Sequence, residues 1–129
     1  LAGMHFLLAE DNEINMEIAE FYLTDLGATV SKAWNGKEAL ELFEASEPGS
    51  YDVILMDVMM PEMDGHEAAH RIRALKRPDA QTVQIVAMTA QTSEDSIHKC
   101  LDAGMDGHIA KPINEEKILS ALHKNIETE

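Results

Sequence analysis

Short apolar runs alternate with segments of helical spacing along the chain. Each run has four to seven residues, a length typical of buried strands rather than helices. The five predicted strands are His5–Ala9, Ala28–Ala33, Tyr51–Asp57, Val83–Thr89 and Gly107–Ala110. Within the third, Val53–Met56 is apolar on both faces, as expected of a central strand in a parallel sheet.

A predicted helix follows each strand. In the first helix several apolar residues lie close to one face, and Gly27 supplies a C-terminal stop. These apolar residues are Ile14, Ile18, Phe21 and Leu26. The other helices begin near Gly36, Asp64, Ser93 and Asn114. Because strands that alternate with helices form βαβ units, we predict an α/β fold, a three-layer (βα)5 doubly wound sheet of five parallel strands.

Composition narrows the classes of function. The chain has 129 residues, and its 24 acidic and 10 basic side chains give a formal charge of −14. Such an excess of acidic side chains argues against contact with nucleic acid or an anionic membrane. No apolar run approaches the ~18–20 residues of a membrane span, no secretory signal opens the chain, and a single cysteine excludes an internal disulfide. We expect a cytoplasmic domain over residues 5–127, preceded by a linker remnant at 1–4.

Polar residues follow four of the predicted strands directly. Glu10 and Asp11 follow the first, whereas Asp57 ends the third, Thr89 ends the fourth and Lys111 follows the fifth. In doubly wound sheets, ligands gather at the carboxyl ends of the strands. We therefore expect three carboxylates, one hydroxyl and one ammonium group to converge at this edge.

Three neighbouring carboxylates repel one another unless a cation intervenes. Hard oxygen ligands suit Mg²⁺, for which Mn²⁺ is expected to substitute. Mg²⁺ and Lys111 together would balance the three negative charges, so that the site admits a phosphoryl donor. Asp57 is then the predicted nucleophile, and Thr89 and Lys111 are predicted to stabilise the phosphoryl oxygens.

Five short segments resemble the response regulator receiver domain of two-component signalling. They are Glu10-Asp11-Asn12, Met56-Asp57, Met60-Pro61-Glu62-Met63-Asp64-Gly65, Met88-Thr89-Ala90 and Lys111-Pro112. The first segment, with Asn15, looks most like receivers attached to hybrid sensor histidine kinases. The resemblance covers residues from His5 to the last helix and implies the flavodoxin-like strand order 2-1-3-4-5.

The resemblance implies a role for each residue of the acidic edge. Asp57 accepts a phosphoryl group from a phosphohistidine or a small phosphodonor. Glu10 and Asp11, with Asp57 and the backbone carbonyl of Met59, hold Mg²⁺. Thr89 binds the phosphoryl group and moves with it. The ammonium group of Lys111 pairs with the phosphate, and the peptide bond to Pro112 is expected to be cis.

Two residues depart from the family pattern. Glu10 stands where the family often has Asp, and its longer side chain implies an indirect metal contact through water. His108 stands where the family usually has a Tyr or Phe that turns inward as the Thr moves. Because histidine can titrate near neutral pH, we hypothesise that His108 still switches, with a coupling that depends on pH.

The resemblance also implies the partners. A histidine kinase or histidine phosphotransfer domain is expected to dock at the start of the first helix, near Ile14 and Met16. The fourth helix, fifth strand and fifth helix form the family's usual face for dimerisation or output. We predict a phosphorelay module rather than a turnover enzyme. The alternative is a pseudo-receiver that signals by protein binding without phosphorylation.

A second motif points to different chemistry. The segment from His66 to His70 has the H-E-x-x-H spacing of zinc proteases. A catalytic zinc needs a third protein ligand, and none is evident downstream. We therefore expect a surface helix, with adventitious divalent-metal binding by His66 and His70 as the alternative.

Overall fold

A computed structural model describes residues 3–90 and 93–127 and contains five strands and five helices in strict alternation. The strands are β1 (His5–Ala9), β2 (Thr29–Ala33), β3 (Val53–Asp57), β4 (Gln84–Thr89) and β5 (Gly107–Ala110). The helices are α1 (Glu13–Asp25), α2 (Gly36–Ala45), α3 (Gly65–Arg73), α4 (Glu94–Asp102) and α5 (Glu115–Glu127). Each predicted strand and helix is present.

All five strands are parallel and lie in the order β2-β1-β3-β4-β5. This confirms the predicted doubly wound sheet and its strand order. Successive residues of β3 point to opposite faces, so Ile54 packs into the layer with α2, α3 and α4, whereas Leu55 packs with α1 and α5. Every residue of β3 is buried, as its apolar sequence predicted.

Polar side chains fix the starts of the helices. Asn12, Asn35, Asp64 and Ser93 each accept a hydrogen bond from the backbone N–H three residues further along, at 2.8 to 3.3 Å. Such caps satisfy N–H groups that the helix itself leaves without a partner. Because the helix starts lie beside the strand ends, the caps also hold the loops that carry the polar edge.

The buried face of α1 differs from the apolar face that the sequence spacing predicted. Met16, Ala19 and Leu23 are buried, whereas the exposed residues Ile14 and Phe21 keep 67% and 63% of their surface accessible. The helix is therefore rotated so that Met16, Ala19 and Leu23 face the sheet. Met16, which we expected at a partner-binding surface, belongs instead to the core.

The connection between α3 and β4 is held by side-chain contacts to the end of α2 and to the loop that follows it. The Arg77 guanidinium lies 4.3 Å from the Phe43 ring centre and donates to the Phe43 carbonyl at the end of α2. It also donates to both carboxylate oxygens of Asp79, at 2.6 and 3.0 Å. Asp79 in turn accepts from the Gly49 N–H at 2.9 Å. These contacts join two loops at the amino-terminal edge of the sheet.

At the start of the chain, Leu1 and Ala2 of the predicted linker lie outside the described residues. Met4 packs against the core, and its carbonyl accepts a hydrogen bond from Thr29. The exact domain boundary stays a prediction. No helix within residues 3–90 and 93–127 combines the length and the apolar character that a membrane span needs.

The Arg77–Asp79 pair gives a test of the fold. Hydrogen bonds from Arg77 hold the pKa of Asp79 below its usual 3.8. Asp79→Asn should therefore lower the free energy of unfolding at pH 7 by about 1–3 kcal/mol, because hydrogen bonds to a charged group are lost. The lowered pKa means that this contribution is complete above pH 3.8 and disappears as the pH falls through the folded-state value.

Urea unfolding between pH 7 and pH 3 measures the difference between the variant and the unaltered chain. Glu47→Gln, a change at an exposed carboxylate of the neighbouring turn, is the control. A deficit for Asp79→Asn that persists undiminished at pH 3 would contradict the assigned ion pair.

Candidate functional site

The carboxyl ends of β1 and β3 bring three acidic residues together. Ligand oxygens of Glu10, Asp11 and Asp57 all lie within 4.8 Å of one another. The parallel pairing of Ala9 with Met56 produces this proximity, because the residue after each partner lies at the same edge of the sheet. Glu10 and Asp57 are only 2% and 3% exposed, whereas Asp11 faces solvent.

A single ammonium group joins the two buried carboxylates. Lys111 Nζ lies 3.0 Å from Glu10 Oε2 and 3.1 Å from Asp57 Oδ2. The remaining oxygens accept backbone hydrogen bonds, Glu10 Oε1 from Asn12 at 3.1 Å and Asp57 Oδ1 from Met59 at 3.2 Å. The Lys111 ammonium group therefore pairs with two carboxyl groups that are both largely buried.

Burial shifts the pKa values of the charged groups at this site. Desolvation, together with the adjacent Asp57, raises the pKa of Glu10 to about 7, although Lys111 acts in the opposite direction. Burial by itself would lower the pKa of Lys111, but its hydrogen bonds to Glu10 and Asp57 outweigh that effect and the pKa is raised. The lysine therefore remains charged, while the acidic cluster remains short of positive charge.

The donor set fits a divalent cation. With all three carboxylates ionised, the cluster carries three negative charges against the one positive charge of Lys111, so two further positive charges would balance it. Mg²⁺ has that charge and prefers oxygen ligands, commonly one or two carboxylates with several waters. A bound cation would favour the ionised form of Glu10, whose pKa burial raises to about 7. Glu10, Asp11 and Asp57 are the residues that would hold it.

The loop after Asp57 is held in place by close backbone packing. Gly65, at the start of α3, donates its N–H to the Val58 carbonyl at 3.0 Å. A Cβ atom at this position would overlap the carbonyl oxygen of Asp57. The glycine therefore lets α3 begin against the strand end that carries Asp57. Met59, in the same loop, has 78% of its surface exposed at the mouth of the site.

Thr89 and His108 occupy neighbouring strands. Thr89 is 7% exposed, and its carbonyl accepts a hydrogen bond from the Lys111 N–H at 2.8 Å. His108 is half-buried and lies beside Ala87, two residues before Thr89. The Lys111–Pro112 peptide bond is cis, as expected.

A cavity of about 290 Å³ lies between α4 and the loop from β3 to α3. His66 and Cys100 both line it, and His66 Nε2 lies 3.6 Å from Cys100 Sγ. Burial raises the pKa of the Cys100 thiol. His70, the other histidine of the H-E-x-x-H segment, is exposed on α3. Among the residues that the structure describes, the one group of three or more acidic, histidine or cysteine ligands is the acidic cluster.

The sequence did not reveal a largely apolar cavity beside the acidic cluster. It has a volume of about 260 Å³ and lies between α1 and the loop from β5 to α5. Its lining residues are Glu10, Asn15, Ile18, Met88, Lys111, Pro112 and Ile113. The exposed apolar residues of α1 continue outward from Ile18 and were the signal that could have identified this surface.

A five-stranded parallel sheet in the order 2-1-3-4-5, with a carboxylate cluster and a lysine at its carboxyl edge, defines a flavodoxin-like α/β domain of the CheY type. The family model of the response regulator receiver domain matches residues 6–123, and the chain belongs to this family. Receiver domains are signalling modules of two-component systems.

Curated relatives are histidine kinases. "Probable histidine kinase 2" of Oryza sativa is 41% identical over 95% of this chain, and "Hybrid signal transduction histidine kinase L" of Dictyostelium discoideum is 37% identical over 92%. The chain spans only 13% and 7% of the lengths of these two relatives. Its similarity is therefore to the receiver part of hybrid kinases.

Solved structures agree with this assignment. The receiver domain of a sensor histidine kinase from Pseudomonas aeruginosa is 35% identical, with a TM-score of 0.83 over 95% of this chain and 97% of that one. That structure contains a magnesium ion coordinated in the active site cleft. The chemotaxis protein CheY4 of Vibrio cholerae is 28% identical, with a TM-score of 0.84 over 95% and 98% of the two chains.

Proposed function

We propose that this chain is a phosphoacceptor receiver that takes a phosphoryl group from a phosphohistidine onto Asp57. The observation that carries the proposal is the shared position of the Lys111 ammonium, within 3.1 Å of oxygens of both Glu10 and Asp57. This position places the carboxylate nucleophile Asp57 beside the Lys111 ammonium group, which can pair with phosphoryl oxygens. The family membership supports the same chemistry, and the hybrid-kinase relatives support its place in a phosphorelay.

In the proposed transfer, a carboxylate oxygen of Asp57 forms a bond to phosphorus as the bond from phosphorus to the donor imidazole nitrogen breaks. The bonding electrons leave with the imidazole, and the product on this chain is an acyl phosphate. Lys111 pairs with the charge on the phosphoryl oxygens. Thr89, at the end of β4, supplies a hydroxyl that binds the transferred group.

We propose that Glu10, Asp11 and Asp57 hold Mg²⁺, with the backbone carbonyl of Met59 as a further ligand and Mn²⁺ as a substitute. When bound, the cation would neutralise charge on the carboxylates and the phosphoryl oxygens. The magnesium in the Pseudomonas receiver supports this assignment. The chain's own residues keep Asp57 aimed at the edge, because the Met59 N–H donates to Asp57 Oδ1.

We propose that the exposed apolar residues of α1, Ile14, Ile18 and Phe21, form the docking surface for the partner that carries the phosphohistidine. They recur at spacings of four and three residues, so they share one side of the helix. Ile18 also lines the apolar cavity next to Glu10 and Lys111. A partner seated there would hold its imidazole close to Asp57. This surface replaces our expectation for Met16, which is buried.

Thr89 and His108 are proposed as the switch pair that passes the phosphorylated state to the face formed by α4, β5 and α5. We propose that this face binds either a second copy of the chain or the output partner. We also propose a cytoplasmic location without direct contacts to nucleic acid or membrane, and a receiver domain spanning residues 5–127.

Phosphorylation distinguishes the proposal from a pseudo-receiver that acts by binding alone. With Mg²⁺ and acetyl phosphate, the intact mass of the chain should increase by one phosphoryl group. Asp57→Asn should abolish the increase, because the carboxylate nucleophile is lost, and removal of Mg²⁺ with a chelator should prevent it. Asp102→Asn, at an exposed carboxylate on α4, is the matched control. An unaltered mass in the parent chain would favour the pseudo-receiver.

Docking at α1 has its own test. Phe21→Ala should slow transfer from a phosphorylated histidine phosphotransfer domain by about tenfold, equivalent to about 1.4 kcal/mol for one apolar contact residue. Phosphorylation by acetyl phosphate should be unchanged, because Phe21 is an exposed residue of α1 outside the acidic cluster. Leu42→Ala removes an exposed apolar residue from α2, on a different surface, and is the control. Equal transfer rates for all three proteins would exclude α1 as the docking surface.

The switch is tested by replacing His108. Beryllofluoride, a phosphoryl mimic, should shift the amide resonances of α4 and β5 in the unaltered chain. His108→Ala should reduce these shifts while Asp57 still binds the mimic, and His108→Tyr should retain them because the ring is restored. The same shifts in His108→Ala as in the parent would exclude a switching role.

A further inference from the structure

We propose that Lys117 is a positioning residue for the phosphoryl transfer. This role rests on the proposed function, and it is exerted through the backbone on both sides of Lys111. The Lys117 ammonium group donates to the Pro112 carbonyl at 2.9 Å and to the Ala110 carbonyl at 3.3 Å. Ala110 and Pro112 are the residues directly before and after Lys111. One charged donor therefore holds both ends of the short segment from which the Lys111 side chain projects.

The Lys111 backbone is also held from the side of the sheet. Its N–H donates to the Thr89 carbonyl at 2.8 Å, which ties the segment to the end of β4. On the other side the donor is the charged side chain from α5, and hydrogen bonds from charged donors are roughly twice as strong as neutral ones. These contacts fix the point at which the Lys111 side chain begins. The distances of 3.0 and 3.1 Å from its ammonium group to Glu10 and Asp57 depend on that point.

The first turn of α5 is an electrostatically unfavourable place for a lysine. The helix begins at Glu115, so Lys117 is its third residue, and the Asn114 side chain accepts the Lys117 backbone N–H at 2.8 Å. The start of a helix is the positive end of its dipole, which suits Glu115 and Glu116 but not a cation. The two loop carbonyls compensate the half-buried lysine, because they accept its ammonium protons. The side chain therefore stabilises the preceding loop rather than the helix.

The Lys117 contacts matter for the reaction because they restrict where the Lys111 ammonium group can lie. Without them the loop after β5 would be held more loosely, and this ammonium group would also occupy positions further from Glu10 and Asp57. Its pairing with the phosphoryl oxygens would then be weaker as charge develops during transfer. Since Lys117 contacts backbone carbonyls, it acts on the reaction through Lys111. A change at Lys117 removes no side chain from the acidic cluster, which allows the positioning role to be tested separately.

Phosphorylation of the 129-residue chain by acetyl phosphate at saturating Mg²⁺ tests the role. Lys117→Met keeps an unbranched side chain that cannot donate to the carbonyls. Its rate of phosphorylation should fall by about tenfold, since a misplacement of ~1 Å can cost ~100-fold in a reaction that depends on orientation. Lys117→Arg keeps a charged donor and should restore most of the rate. Lys37→Met removes the same charge from the first turn of α2, where the lysine is exposed, and should leave the rate unchanged.

The nitrogen and proton resonances of the Lys111 ammonium group report its position without any phosphodonor. In the ¹⁵N-labelled parent chain these resonances are assigned by their loss in Lys111→Arg. Lys117→Met should shift or broaden them, and Lys37→Met should not. Urea unfolding of each variant verifies that it is folded under the conditions of both measurements.

Two results would overturn the positioning role, namely a parent-like rate of phosphorylation in Lys117→Met or unaltered Lys111 resonances in that variant. A parent chain that acetyl phosphate does not modify would refute the proposed function instead. The Lys111 resonances would in that case still support or overturn the positioning of the ammonium group by Lys117, because their measurement needs no phosphoryl transfer.

Discussion

The central constraint of this molecule is a shortage of positive charge around two buried carboxylates. Glu10 and Asp57 lie in the sheet's edge with almost no exposure, and they share the one ammonium group of Lys111. Burial of like charges is unfavourable, and the raised pKa of Glu10 records that cost. The arrangement can persist because the parallel strands hold the carboxylates side by side. The stability of the sheet thus holds the two carboxylates together, in a site where an added cation would be favourable.

At the opposite, amino-terminal edge of the sheet, the charged side chains are paired. There Arg77 satisfies Asp79 with two hydrogen bonds, and Arg73 donates to the carbonyls of Ala80, Val83 and Gly104. These guanidinium groups join loops and leave little unpaired charge. The carboxyl edge of the sheet thus has more negative than positive charge, whereas at the amino edge the arginines are paired with carboxylates and carbonyls.

Much of the fold and the site could be predicted because each depends on short-range sequence features. Buried strands require continuous apolar runs, and Asp64 and Ser93 mark helix starts since their side chains cap backbone N–H groups. The proximity of Glu10 and Asp57 could be predicted because neighbouring parallel strands end at the same edge of the sheet. The cluster geometry was predicted, although the roles of its residues stay predictions.

Features that depend on rotation and on distant contacts were not predictable. The spacing in α1 marks Ile14 and Phe21 as one face, but which face is buried depends on how the loop after β1 orients the helix. The contact between His66 and Cys100 joins residues 34 positions apart and requires two helices to pack at one distance. Periodicity carries no information on either.

The net charge of −14 also has a consequence for partner choice. An acidic surface repels free phosphate anions, so encounter with a phosphoryl group is disfavoured unless another interaction holds the donor. The apolar surface of Ile14, Ile18 and Phe21 can provide that interaction without charge, since burial of apolar area is insensitive to the sign of the field. Apolar docking and local charge compensation at Lys111 therefore have to act together. Under the proposed function, the acidic surface would disfavour small anionic donors relative to a docked protein, and the apolar face of α1 would seat the protein that delivers phosphate.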